Sequence, residues 1–357
     1  MKIVDKFIIK KFLSAYVFVV LILVTVVCII QLTEKNDKII KHQLTIAEVG
    51  GYYLDYFPYI ANMISPITVF IAVVYITAKM ASHSEIIALL SSGISFRRLM
   101  WSYLMGAILI AGVNFVLTGW VIPNSNKDRL VFEMQYFENT YYFTDRDIHM
   151  KVAPESYLYM ESYNNHTEVG YKFTLETIRE NNLVDKLSAQ RIEWQEDSGS
   201  WKLKRWELRE FNGFEESFTH GSELDTVLNI SPKDFDSDFR LYEALTINEL
   251  NEHIRLLESR GADNVEFYEI EKYTRFTSPF AMIILTFIGM IMSARKTRGG
   301  AGFQIALGFL IAFIYIIFFW FSKTFAESGN LAPEIAIWIP NSIFAVVGII
   351  LYKTVPR

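Results

Sequence analysis

Six apolar stretches without a single charged side chain constrain this sequence more than anything else in it. They are Phe12–Leu32, Tyr59–Ala78, Leu99–Ile122, Phe276–Ala294, Phe303–Ser322 and Ile335–Tyr352. Each approaches the roughly 20 residues a helix needs to cross a ~30 Å hydrocarbon core. A chain whose residues are 52% hydrophobic cannot hide six such stretches in one soluble core of 357 residues. The expected class is therefore an α-helical membrane protein with six transmembrane helices. Pro66 and Pro340 fall inside two of the runs and predict kinks, which membrane helices tolerate. The first run follows Lys2, Lys6, Lys10 and Lys11, as a signal peptide would. It is long enough to span, and Thr33-Glu34-Lys35-Asn36-Asp37 follows it in place of a cleavage site, which predicts an uncleaved anchor.

Lysine and arginine in the short loops set the orientation. Lys2, Lys6, Lys10, Lys11, Lys79, Arg97, Arg98, Arg295, Lys296, Arg298, Lys353 and Arg357 fall on one side. The opposite short loops carry Lys35, Lys38, Lys41 and Lys323 among more numerous acids. Both termini and the excursion between the second and third runs are expected to be cytoplasmic.

Between the third and fourth runs lies a long polar segment. Apolar and polar residues alternate with period two through Tyr157-Leu158-Tyr159-Met160, Tyr171-Lys172-Phe173-Thr174-Leu175 and Trp201-Lys202-Leu203-Lys204-Arg205-Trp206. Turn residues separate them at Asn164-Asn165-His166, Glu180-Asn181-Asn182 and Asp197-Ser198-Gly199-Ser200, the last giving the clearest hairpin. This predicts an inserted antiparallel β-rich domain, a sandwich or jelly-roll-like fold, on the non-cytoplasmic side. From Thr246 the period changes, and Leu250, Ile254 and Leu257 mark an amphipathic helix leading back to the membrane. The division is 1–122 for the first three helices, 123–245 for the β-rich domain, and 246–357 for the amphipathic helix with the last three.

The excursion at 80–98 is too structured for an idle loop. Ser82, Ser84 and Glu85 supply oxygens suited to a helix start, Ile86, Ile87, Leu89 and Leu90 supply its apolar residues, and Gly93 stops it. It reads as a docking element. Arg97 and Arg98 read as topology anchors at the re-entry side.

Several chemistries are missing from the sequence. It contains no G-x-x-x-x-G-K-[ST] phosphate loop, no H-E-x-x-H pair and no G-x-S-x-G elbow. The histidines are scattered without metal-ligand spacing, and the lone Cys28 sits in an apolar run. None of the six runs holds the intramembrane carboxylate or lysine that ion coupling leaves behind. A net charge of −5 gives no basic surface for nucleic acid. No catalytic residue, metal or cofactor is expected, and energy for any transport must come from outside the chain.

Three features together, the three-plus-three layout, Ser84–Leu99 (S-E-I-I-A-L-x-S-S-G-I-S-F-x-R-L) and Arg295–Gly302 (R-K-x-R-G-G-x-G), resemble the LptF/LptG (YjgP/YjgQ) lipopolysaccharide export permeases. Tyr273-x-Arg275-x-x-x-Pro279 extends the likeness into the fourth run. The short β segment favours LptG of the two. The resemblance implies a non-enzymatic permease of an ABC transporter in a Gram-negative inner membrane. Its implied partners are the paralogous permease, a cytoplasmic LptB dimer that binds the ATP, single-span LptC and the periplasmic bridge LptA. It implies an ATPase-coupling segment at Ser84, Glu85, Ile86, Leu89, Gly93, Arg97 and Arg98. It also implies lipid A phosphate contacts at Lys35, Lys38 and Lys41, whose i, i+3, i+6 spacing shares a helix arc if the first helix continues.

A bare acyl chain in water costs about 0.8 kcal/mol per methylene, so the glycolipid should enter laterally into an apolar groove. Phe70, Phe313, Phe318 and Phe319 are candidates for its lining. A different class of function, a mechanotransmission subunit that works a periplasmic domain without passing substrate, fits less well. Its large domain is expected after the first span.

Overall fold

A computed structural model describes residues 3–137, 146–180, 182–213, 215–235, 240–260, 265–294 and 300–354. Lys2, Arg357 and the basic run at Arg295, Lys296 and Arg298 lie outside the described residues. Chain contacts divide the molecule into a helical unit and a β-rich unit. The first is Met1–Phe137, Arg240–Glu252 and Glu266–Arg357; the second is Glu138–Phe239 and His253–Val265.

Among the described residues, the helical unit holds six helical stretches long and apolar enough to cross a membrane. Helix α1 (Ile3–Lys41) runs unbroken for 39 residues, well beyond the apolar run that predicts it. The second span is two helices, α2 (Ile46–Met63) and α3 (Ser65–Ser82), broken at Ile64 rather than merely kinked. Pro66 sits in the first turn of α3, where its missing N–H is harmless, and it cannot extend α2. The break is tied to α1 by a 2.7 Å hydrogen bond between Tyr16 Oη and Ser65 Oγ.

A short helix α4 (Glu85–Ser91) follows, then α5 (Phe96–Val116). The third span does not end at Ile122. It passes through a π turn at Leu117–Val121 into α6 (Ile122–Phe132) and a second π turn ending at Phe137. Pro123 has no N–H for the carbonyl of Gly119, and the helix widens one turn before it. The chain returns through α7 (Leu241–Ala244) and α8 (Ile247–Arg260), then α9 (Val265–Ser293), α10 (Gly300–Glu327) and α11 (Pro333–Thr354). Pro340 leaves the carbonyl of Ala336 without its helical donor, and Ser322 of α10 donates its hydroxyl to that oxygen.

Small residues set the helix spacing. A Cβ on Gly308 of α10 would come within 2.9 Å of Val74, and one on Gly289 of α9 within 3.0 Å of Phe70. Helix α3 thus lies between α9 and α10 at backbone-limited distance. Phe70, Val74, Leu285, Ile288, Ala312 and Phe344 form the core there.

Among the described residues, the β-rich unit forms one antiparallel sheet of six strands in sequence order. These are β1 (Arg146–Ala153), β2 (Ser156–Asn164), β3 (Val169–Arg179), β4 (Asn182–Gln195), β5 (Ser200–Asn212) and β6 (Glu215–Thr226). The predicted turn at Asp197–Ser200 is the β4–β5 hairpin, with Gly199 at φ 61° and Trp194 paired to Trp201. Asn164 closes the β2–β3 turn by accepting from the backbone N–H groups of His166 and Thr167. Leu158, Met160, Phe173, Leu187, Ile192, Trp201 and Leu203 are buried together with Ile230 and Phe235. The strict alternation of β3 and β5 is interrupted midway by Lys172 and Arg205 at positive φ, which lets both halves of the strands share that core.

Candidate functional site

Two ends of the helical unit gather the residues that the sequence singles out. At the first, α3 stops at His83, Ser84 turns left-handed at φ 59°, and α4 begins at Glu85. The expected side-chain cap is not there. Ser84 makes no cap bond, and Ser82 donates back to the carbonyl of Lys79. The orientation of α4 comes instead from tertiary contacts. Ile86 is buried among Ile8, Phe12, Met80 and Leu99, and Leu89 packs against the same cluster.

Glu85 accepts a 2.9 Å ion pair from Lys11 of α1. Gly93, at φ 87°, stops the helix in a conformation that side chains resist. Ser95 then caps α5 by accepting from the N–H of Arg98. Arg98 reaches Asp5 at 3.5 Å, and Ser102 holds the other oxygen of Asp5 at 2.8 Å. Arg97 is exposed. This short helix is therefore fastened to α1 and α5 along one side. On the other, Ile87 (51% exposed) and Leu90 (37%) form an apolar edge.

At the opposite end, the unbroken α1 keeps Lys35, Lys38 and Lys41 on one helix. Lys38 donates to the backbone carbonyl of Phe137, and the ammonium of Lys35 lies 5.6 Å from the Phe137 ring centre. Lys41 is exposed. Phe137 is fully buried in an aromatic group with Tyr52, Tyr56 and Phe132.

The candidate groove aromatics are not brought together. Phe70 is fully buried in the core, Phe313 and Phe318 face outward on α10, and Phe319 packs with Ile270, Ala326 and Ile337. Among the described residues, no three His, Cys, Asp or Glu side chains converge as a metal site.

Beside the lysines lies a charged cluster that periodicity did not flag. Arg129, with a side chain wholly removed from solvent, donates to Glu133 at 2.7 Å, to Glu243 at 2.5 Å and to Asn126 at 3.1 Å. Its guanidinium lies 4.1 Å from the Tyr59 ring centre. Arg240 pairs with Glu243 at 2.6 Å and with Glu133 at 3.5 Å. Tyr52 donates to Glu133 at 2.9 Å and accepts from Gln31 of α1 at 2.6 Å. Burial raises the Glu243 carboxyl, against the pull of Arg240 and then Arg129. Arg275 of α9 joins by donating to the carbonyls of Leu245 and Tyr242. The readable signal was the i, i+4 spacing of Arg129 with Glu133 and of Glu271 with Arg275, both just beyond apolar runs.

Over residues 6–354 the chain matches the family described as lipopolysaccharide export system permease LptF/LptG. It belongs to this family. Comparison with curated proteins returns no match. An LptF/LptG chain is a permease subunit of a lipopolysaccharide export system, a multi-pass inner-membrane protein rather than an enzyme in its own right. The six spans and the inserted six-stranded sheet agree with that membership.

Proposed function

We propose that this permease is a passive lever driven from the cytosol by a separate ATPase. In this reading both termini and α4 are cytoplasmic and the sheet is periplasmic. The transmembrane pathway is shared with the paralogous permease, LptF or LptG. An LptB dimer binds and hydrolyses ATP, so this chain carries no nucleotide, metal or other cofactor. LptC and LptA continue the path on the periplasmic side.

The observation that carries the reading is the construction of α4. Ile86 and the Glu85–Lys11 pair fix it to α1 and α5, while Ile87 and Leu90 stay exposed. A groove on a partner that takes this apolar edge would move α1 and the third span with it. Glu85 serves here to hold α4 in place, and Gly93, Arg97 and Arg98 set the turn into α5. At the other end, Lys35, Lys38 and Lys41 face the anionic headgroup of lipopolysaccharide, with Lys38 shared with the carbonyl of Phe137. Lateral entry followed by collapse of an apolar cavity pushes the acyl chains towards the sheet.

The test replaces both exposed residues, Ile87→Glu with Leu90→Glu, in the full complex. The permease pair should still assemble, while LptB no longer co-purifies and export stops. Full LptB retention with undiminished export in that double variant would remove α4 as the docking element.

A further inference from the structure

Burying three charges and half-burying a fourth is a poor way to gain stability, because the desolvation of each ion offsets most of its pairing. The Arg129–Glu133–Arg240–Glu243 cluster therefore calls for another reason. Its two cations are matched by two carboxylates, so it offers no net positive charge to a phosphate. Its place in the chain is more telling. The segment that carries the sheet leaves the helical unit after Phe137, four positions past Glu133, and returns at Arg240 itself. Arg129 and Glu133 stand on the outgoing arm, Arg240 and Glu243 on the returning arm, and Asn126 adds a 2.9 Å bond to the carbonyl of Glu243. Hydrogen bonds run from there through Tyr52 to Gln31 on α1, while Arg275 on α9 holds one carbonyl within α7 and the one just after it.

We propose that this cluster is a clasp that makes both connections to the sheet-bearing segment move with α1, α2, α6 and α9. Arg129 and Arg240 are positioning residues for export, acting through chain geometry without touching the glycolipid. The inference rests on the lever reading above. Opening the clasp should leave nucleotide turnover and glycolipid capture intact while delivery fails.

The experiment uses the reconstituted permease pair with its ATPase, lipopolysaccharide and the soluble bridge protein as acceptor. Arg240→Gln is the first variant, because its side chain is part-exposed and Arg129 still pairs with both carboxylates. Arg240→Lys, which restores the charge, and Glu243→Gln accompany it. Three quantities are read: ATP hydrolysis, glycolipid crosslinked to a photoreactive residue at position 41, and glycolipid delivered to the bridge. Delivery should drop about tenfold in Arg240→Gln and Glu243→Gln with hydrolysis and crosslinking held, and Arg240→Lys should recover most of it.

Unchanged delivery in both variants overturns the clasp. So does a parallel fall of all three quantities, which would mark simple structural support. A parent complex that hydrolyses ATP without delivering glycolipid overturns the lever reading, and the clasp with it. A competent parent confines any failure to the clasp.

Discussion

Arg129 shows how much a single side chain can depend on its partners. Its guanidinium is fully buried, so its removal leaves Glu133 and Glu243 to share the part-exposed Arg240 as counter-charge. Arg129→Gln should destabilise the detergent-solubilised protein by roughly 3–5 kcal/mol, read as a lowered unfolding midpoint. Adding Glu133→Gln should return much of that loss, since Glu243 then keeps its 2.6 Å pair with Arg240 and no carboxylate is left in excess. Glu249 tests the same physics at the surface. Thr246 and Glu249 form a reciprocal cap at the start of α8, with Thr246 N–H and Oγ1 each donating to Glu249 at 2.8 Å. Those bonds, backbone first, hold the Glu249 carboxyl below its usual range. A depressed folded-state pKa means the stabilisation is present above the unfolded value and is lost as pH falls through the folded one. Thr246→Ala should cost about 1 kcal/mol near neutral pH and much less in acid, as denaturant titrations at the two pH values would show. The cap was readable as T-x-x-E in the sequence. The Lys11–Glu85 pair, spanning 74 positions, was not, because nothing local in either residue names the other.

Among the elements, the proline-bearing helices were only half legible. Pro66 and Pro340 announce a disturbance, but whether it becomes a break or a patched ladder depends on what stands nearby. At Ile64 the helix is interrupted outright. In α11 the hydroxyl of Ser322 replaces the missing donor, and the helix continues. Ser322→Ala should therefore cost about 1 kcal/mol in the parent and almost nothing beside Pro340→Ala, where residue 340 supplies the N–H. A double-mutant cycle of thermal stability checks it. Independent, additive losses would mean that the serine does not serve the proline. The strands were easier to read. Their period-two pattern and turn residues are local, and the β4–β5 hairpin falls where Asp197–Ser200 predicts it. The ends of α1 and of the third span were missed because a helix can run on through polar residues once neighbours support it. Here Gln31, Tyr52 and Glu133 do so.

For the molecule as a whole, helix α3 packs against α10 where Val74 meets Gly308. Gly308→Leu should force them apart and cost about 1–3 kcal/mol, read as lower thermal stability, while Gly302→Leu, with open space around its Cβ, should leave stability unchanged. Equal effects at the two sites would show that α3–α10 packing is not set by that glycine. Six uncharged runs of membrane-spanning length and an alternating polar segment already determined the class of protein, because bilayer thickness and strand pleat act on neighbouring residues. The clasp, the seating of α4 and the burial of Phe70 were decided by tertiary structure alone. Each depends on which distant side chains meet, and the desolvation of a charge or the fit of a ring is settled only when they do.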